Sequence, residues 1–267
     1  MGKVFIYDVD ACLGCYSCQI ACKDEHCNND WMPYAKPQPV WGQFWYKLDF
    51  NERGEGDKQK INWLATLCMH CDDAPCMKVC PINAITKRPD GLVIIEPAKC
   101  DGCMACVGAC PYGAIYFNQD LRLAQKCTGC AHLLDRGWPI KEPRCVDNCF
   151  ENLALRFGEE SEFSADIAKA EVFKPENKPR VYYLNLPKKF VAGNVYTSSD
   201  KEVVIGATCT LSGAGSATTT TDVFGDFWFE GLADGTYQVK IEKDGKSVTL
   251  DADTTSRDVN LGYIDLK

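Results

Sequence analysis

The chain has 267 residues, of which 46% are hydrophobic and 25% are charged, and its formal net charge is −8. This negative charge argues against nucleic acid as the main partner. No apolar run reaches the roughly 18 residues that a membrane-spanning helix needs. The length suits about two globular domains.

The chain opens with MGKVFIYDVDACLGC, which leads directly into a cysteine motif. It shows neither a basic segment followed by an apolar one nor a twin-arginine pair, so we expect no targeting signal of its own. The apolar and aromatic residues 5–9 predict a strand that enters the motif.

Cysteine content is the dominant feature, because seventeen of the eighteen cysteines precede residue 150. Their regular grouping favours metal binding over the disulfide framework of a secreted protein. Sixteen of them form four groups of four in chain order: Cys12, Cys15, Cys18 and Cys22; Cys68, Cys71, Cys76 and Cys80; Cys100, Cys103, Cys106 and Cys110; Cys127, Cys130, Cys145 and Cys149.

Groups one and three have the spacing C-x2-C-x2-C-x3-C, the bacterial ferredoxin pattern in which the fourth cysteine binds the other cluster of a pair. Zinc is the alternative metal, but zinc sites usually combine two well-separated C-x2-C pairs. The spacing therefore predicts iron, held by these sixteen cysteines as four [4Fe–4S] clusters in two crosswise pairs.

An aromatic segment at 28–62 interrupts the cysteine groups. WMPYAKPQPVWGQFWYKLDF carries three of the six tryptophans and predicts either a local cap over a cluster or a surface that docks a partner. The NERGEGDKQK that follows predicts a solvated loop.

An internal repeat relates groups two and three, because CPINAI and CPYGAI stand thirty residues apart. Each copy predicts a thiol loop, a helical turn and a strand, so residues 63–119 are expected to form one ferredoxin-like module. Residues 1–27 together with 120–160 would form the other.

The crossing rule then assigns four ligand sets. They are set A (Cys12, Cys15, Cys18 and Cys149), set B (Cys22, Cys127, Cys130 and Cys145), set C (Cys68, Cys71, Cys76 and Cys110) and set D (Cys80, Cys100, Cys103 and Cys106). Cys27 and Cys209 remain outside, the first as a spare thiol and the second as a buried strand residue. The three histidines, His26, His70 and His132, are expected to support clusters rather than to bind iron.

Composition changes in the last third of the chain. Residues 160–190 predict a short helix followed by an extended linker at 181–190. Residues 191–267 alternate apolar and polar residues between glycine turns and predict about seven short strands in a small all-β, immunoglobulin-like or transthyretin-like sandwich. The expected fold is thus α+β, with a four-cluster domain at 1–180 before the sandwich.

The order and spacing of the four groups resemble the four-cluster iron–sulfur subunits of the molybdopterin oxidoreductases, the dimethyl sulfoxide reductase superfamily. The segment TTDVFGDFWFEGLADGTYQV resembles a carboxypeptidase-regulatory-like domain. Together with the aromatic insert, this domain resembles the small subunits of pyrogallol–phloroglucinol transhydroxylases and catechol dehydroxylases.

The resemblance implies an electron-transfer subunit that is not itself catalytic and binds a large catalytic chain. That chain would carry molybdenum or tungsten on a bis-pterin guanine dinucleotide cofactor and act on phenolic rings, with reductive dehydroxylation favoured over transhydroxylation. The external electron donor would be a ferredoxin, a quinol-linked protein or a flavoprotein. The complex would be cytoplasmic, or exported folded with a twin-arginine-bearing partner. A free polyferredoxin and a structural scaffold are the alternatives.

Overall fold

The structure is a computed structural model that describes residues 2–149, 153–199 and 201–267. The chain divides into two compact units. Unit 1 comprises Met1–Phe50 and Asn62–Leu186, and unit 2 comprises Asn51–Ile61 and Pro187–Lys267.

The first elements along the chain are β1 (Lys3–Asp8), α1 (Ser17–His26), β2 (Tyr46–Glu55) and β3 (Lys58–Leu67). Then follow α2 (Pro75–Lys78), β4 (Ile85–Lys87), β5 (Val93–Ile95), α3 (Ala105–Ala109), β6 (Ile115–Asn118) and β7 (Leu123–Lys126). Unit 1 continues with α4 (Ala131–Asp135), α5 (Arg144–Asp147), β8 (Leu155–Glu159), a 3-10 helix (Glu160–Phe163), α6 (Ser164–Ile167), a second 3-10 helix (Pro175–Asn177) and β9 (Val181–Leu184).

Unit 1 is built on short strands that carry the cysteine loops between them. Strand β1 lies at the centre of a three-stranded sheet, antiparallel to β8 and parallel to β9. The predicted strand at 5–9 is therefore confirmed over Phe5–Asp8. The repeated phrases CPINAI and CPYGAI each lead into an antiparallel hairpin, β4–β5 and β6–β7 respectively.

Unit 2 contains the remaining strands, β10 (Lys189–Tyr196), β11 (Thr208–Gly213), β12 (Ala217–Thr220), β13 (Asp226–Leu232), β14 (Thr236–Lys243), β15 (Lys246–Asp253) and β16 (Val259–Asp265). They form one sheet in the order β13-β10-β16 and another in the order β12-β11-β14-β15. Buried residues of both sheets, such as Val191 and Val239, share one core. Cys209 is fully buried there, which confirms its prediction as a strand residue.

Two expectations from the sequence need correction. The segment 181–190 is not a free linker, because β9 pairs with β1 and buries Val181 and Tyr183, and β10 begins at Lys189. The segment NERGEGDKQK is not a solvated loop either, since it forms the end of a β2–β3 hairpin. Lys58 helps to explain why this charged segment forms a hairpin. Its side chain is only 3% exposed and pairs with Asp226 at 3.0 Å.

Candidate iron–sulfur sites

The four cysteines of set A lie around one cavity of about 120 Å³. Cys12 and Cys15 stand in the loop after β1, Cys18 lies in the first turn of α1, and Cys149 follows α5. The phenol-bearing residues Tyr7 and Tyr46 line the same cavity. The fold thus brings Cys149 to a loop more than a hundred residues earlier in the chain.

Sets C and D each line a cavity of their own. Cys110 joins Cys68, Cys71 and Cys76 around one of them. The other is lined by the cysteines of set D, namely Cys80, Cys100, Cys103 and Cys106. In each case the cysteine before the proline, Cys80 or Cys110, lines the cavity of the other loop.

Set B is brought together by α1 and α5, which pack against each other. All four of its cysteines are buried. Burial, and then repulsion from Cys127 and Cys130, raises the pKa of Cys22 well above its ordinary value. Burial, and then repulsion from Cys22, raises the pKa of Cys145 well above its ordinary value.

Neighbouring sets adjoin one another through individual cysteines. Repulsion from Cys18 of set A contributes to the raised pKa of Cys145 in set B, after burial and the cysteines of its own set. After burial, Cys68 of set C raises the pKa of Cys127 in set B. Repulsion from Cys76 likewise contributes, after burial and Cys100, to raising the pKa of Cys106 to about 12. The sets therefore follow one another in the order A, B, C and D.

Backbone amides point at sulfur atoms in all four sets. These N–H groups donate from 3.3–3.4 Å, in the pairs His70 to Cys68, Ala84 to Cys80, Gly129 to Cys127 and Leu155 to Cys149. Hydrogen bonds of this kind help to set the reduction potential of an iron–sulfur cluster.

A glycine precedes the second cysteine in three of the loops, a pattern that the sequence analysis missed. Gly14, Gly102 and Gly129 all have φ between +62° and +76°. Each is also closely packed. A Cβ added to Gly102, for example, would lie 2.3 Å from the carbonyl oxygen of Arg122. The repeated C-x-G-C phrase was the signal that could have revealed these positions. The fourth loop places His70 there, with φ of +45°.

The histidines lie near the cysteine sets. His26 Nε2 is 3.7 Å from the Cys130 sulfur, and His132 Nε2 is 2.9 Å from Glu25. His70 Nδ1 accepts a hydrogen bond from the Val93 amide at 2.9 Å, so its proton resides on Nε2. Burial lowers the pKa of His70 well below its ordinary value, which leaves its ring neutral.

The donor set fits iron–sulfur clusters. All eighteen cysteines are free thiols, and twelve of the sixteen expected ligands line cavities in fours. Sulfur donors of this kind select soft or borderline metals, including iron in clusters. Within the described ranges, no three His, Cys, Asp or Glu side chains converge as they would around a single ion.

Comparison with known proteins identifies both parts of the chain. Residues 59–160 match a family described as a 4Fe-4S dicluster domain, and residues 191–262 match the carboxypeptidase regulatory-like domain. The small subunit of pyrogallol hydroxytransferase from Pelobacter acidigallici is 37% identical, over 98% of each chain. This chain therefore belongs to the iron–sulfur subunits of the molybdopterin oxidoreductases.

Other members of this family are similar over about 70% of this chain. A tetrathionate reductase subunit from Salmonella typhimurium is 34% identical over 70% of this chain and 73% of its own length. A polysulfide reductase chain from Wolinella succinogenes is 33% identical over 71% of this chain and 93% of its own length. None of the helices in the described part of this iron–sulfur subunit is long and apolar enough to cross a membrane.

Proposed function

We propose that this chain carries four [4Fe–4S] clusters, one on each of sets A to D, and passes electrons to or from a catalytic subunit. One observation carries the proposal: three separate cavities are each lined by the four cysteines of one expected set. The two crosswise pairs, A with B and C with D, correspond to the two ferredoxin-like modules.

The clusters would supply one-electron redox chemistry, and the protein's residues would adjust its energetics. Thiolates of the sixteen cysteines would hold the iron. Backbone amides such as those of His70 and Leu155 would donate to ligand sulfur, and buried aromatic residues such as Tyr46 would exclude water.

Solvent access suggests how electrons enter and leave. Cys15 of set A and Cys103 of set D are exposed, whereas every cysteine of set B is buried. Since A and D also stand at the two ends of the order A, B, C and D, these two sets would exchange electrons with partners. Sets B and C would connect them.

The catalytic partner would be a large molybdopterin subunit with molybdenum or tungsten on a bis-pterin guanine dinucleotide cofactor. The aromatic segment 28–50 offers it an apolar contact, because Trp41 is 87% exposed. Leu13 and Ile20, beside set A, are also largely exposed. A ferredoxin, a quinol-linked protein or a flavoprotein would serve as the external donor at set D.

The partner would act on phenolic or catechol substrates, as the name of the pyrogallol hydroxytransferase relative suggests. Different observations favour two different reactions of the partner. The name of this relative favours hydroxyl transfer, which needs no net electrons. The complete complement of sixteen cysteines favours reductive dehydroxylation, which consumes electrons from outside, and we rank it first.

Metal analysis of the anaerobically purified native complex, with the masses of all co-purifying chains, tests the proposal. We expect about sixteen irons on this chain and about one molybdenum or tungsten on a much larger chain. Sixteen irons on an isolated chain would instead indicate a free polyferredoxin. Zinc in place of iron would refute the proposal. With phenolic substrates, turnover that requires added reductant would separate dehydroxylation from hydroxyl transfer.

A further inference from the structure

One buried cation lies beside two of the cysteine sets. Lys126, the last residue of β7, is only 2% exposed and directly precedes Cys127 of set B. Its Nζ donates hydrogen bonds to the carbonyl oxygens of Val93 and Cys127. A lysine ammonium has three N–H groups, and these two carbonyls accept from two of them.

Lys126 has no carboxylate to balance its charge among the residues that the structure describes, although 21 other ion pairs are present there. A buried charge without a counter-charge is costly, so buried cations are normally paired with anions. The groups able to supply negative charge here are cysteine sulfurs. The Lys126 ammonium partly offsets the effect of burial on the pKa values of both Cys76 and Cys127.

These two cysteines belong to different sets, C and B. Contacts place Lys126 at the junction between the two central sets, because Val93, whose carbonyl accepts from its ammonium, lines the set C cavity, and Cys127, whose carbonyl also accepts, belongs to set B. Among the described residues, the hydrogen bonds of its Nζ reach neither set A nor set D. Its position between two thiolate sites, rather than at one of them, is what singles it out.

We infer that the Lys126 ammonium raises the reduction potentials of the two clusters held by sets B and C, an inference that rests on the proposed function. Each reduction adds one electron to a cluster and breaks no bond. A fixed positive charge nearby stabilises the more negative, reduced form, and low-dielectric surroundings strengthen the effect. Electrons crossing the subunit would therefore be held more favourably at its centre.

Lys99 is a matched control within the same chain. It precedes Cys100 of set D in KCDGC, just as Lys126 precedes Cys127 in KCTGC. Unlike Lys126, its side chain is 56% exposed and pairs with Glu96 at 2.7 Å. Solvent and this carboxylate screen its charge, so its removal is expected to leave all potentials in place.

Redox titration of the anaerobic complex with dithionite, followed by electron paramagnetic resonance, tests the inference on Lys126→Met, Lys126→Gln and Lys99→Met. We expect two of the four midpoints to become more negative in both Lys126 variants. A tenfold fall in the equilibrium constant for reduction corresponds to about 59 mV for one electron. Lys99→Met is expected to match the wild type.

Unchanged midpoints in the Lys126 variants, or an equal shift in Lys99→Met, would overturn the inference while leaving the proposed function intact. If both Lys126 variants lose one of the two central clusters, the midpoint potential of the other is the test. An unchanged midpoint of that cluster would also overturn the inference. Fewer than four clusters in the wild type would instead overturn the proposed function.

Discussion

Residues with left-handed backbone shape the cysteine loops. Three loops use glycine before the second cysteine, where positive φ carries no Cβ penalty. The fourth uses His70, whose conformational cost is offset by the Val93 hydrogen bond and by stacking on Phe5. His70 therefore holds a backbone conformation that glycine adopts in the other three loops.

Gly102→Ala is expected to remove the cluster of set D. Its new Cβ would meet the Arg122 carbonyl, and backbone cannot yield as a flexible side chain can. Gly113→Ala is the control, because Gly113 also has positive φ but open space around it. Iron analysis should show a loss of about four irons per chain for Gly102→Ala alone. Equal iron in both variants would contradict the steric argument.

Cys106→Ser is expected to damage the set D cluster, whereas Cys27→Ser should leave all four intact. Cys106 lines the set D cavity, but Cys27 lies at the end of α1 in an isolated bridge to Gln38. Iron content and the electron paramagnetic resonance signals of the reduced protein check both variants. A loss of iron in Cys27→Ser would show that the division into sixteen ligands and two spare thiols is wrong.

The ligand residues are the part of the site that sequence can predict, because their spacing follows from how a loop wraps a cubane. Lys126 shows what the sequence cannot predict. KCTGC and KCDGC look alike, yet Lys126 is buried and Lys99 is exposed. The difference comes from β5, whose Val93 carbonyl receives the Lys126 ammonium, and from Glu96, which pairs with Lys99. Neither contact can be inferred from the motif.

At the scale of elements, the β2–β3 hairpin shows how partners elsewhere in the chain decide secondary structure. Its end, 51–61, is highly charged and belongs to unit 2. Lys58 pairs there with Asp57 and Asp226, and Arg53 pairs with the buried Asp258. Alternation of charged residues without apolar ones gives no strand signal, so contacts with distant residues such as Asp226 and Asp258 explain the hairpin.

Lys58→Met is expected to destabilise unit 2 by about 1–3 kcal/mol, because Asp226 would lose a hydrogen-bonded cation in partly buried surroundings. Lys240→Met is the matched control, since Lys240 also pairs with a carboxylate of unit 2 but is half exposed. Its cost should stay below about 1 kcal/mol. Denaturant unfolding of the full chain measures both. Equal costs would refute the role assigned to burial.

At the scale of the whole molecule, sequence predicted the two kinds of domain better than their connections. Seven strands were expected in the C-terminal part, and β10–β16 provide them. Their order in two sheets was not predictable, because alternation marks the buried face of a strand without naming its neighbour. For the same reason the sequence did not predict that β9 is a strand, because its partner β1 lies at the other end of unit 1.

Exposure of the end sets predicts an order of cluster loss. When the free subunit is treated with a limiting oxidant and an iron chelator, clusters on sets A and D should be lost before those on B and C. Cys15 and Cys103 are open to solvent, whereas set B is buried. Freeze-quenched electron paramagnetic resonance spectra follow the loss.

The catalytic partner supplies the control for this experiment. If it covers set A, the complex should protect that cluster while the free subunit does not, and set D should be equally sensitive in both. Simultaneous loss of all four clusters would contradict an arrangement with exposed ends and a buried centre.

The division of the β2–β3 hairpin has a consequence for how such chains can be recombined. Unit 2 needs 51–61 as well as 187–267, and Asn260 donates to the carbonyl of Glu55 across that sequence gap. A C-terminal domain exchanged between relatives at residue 187 would therefore arrive without eleven residues of its own fold. Transferring it intact requires two segments of the gene, so inheritance of this domain is tied to inheritance of the hairpin.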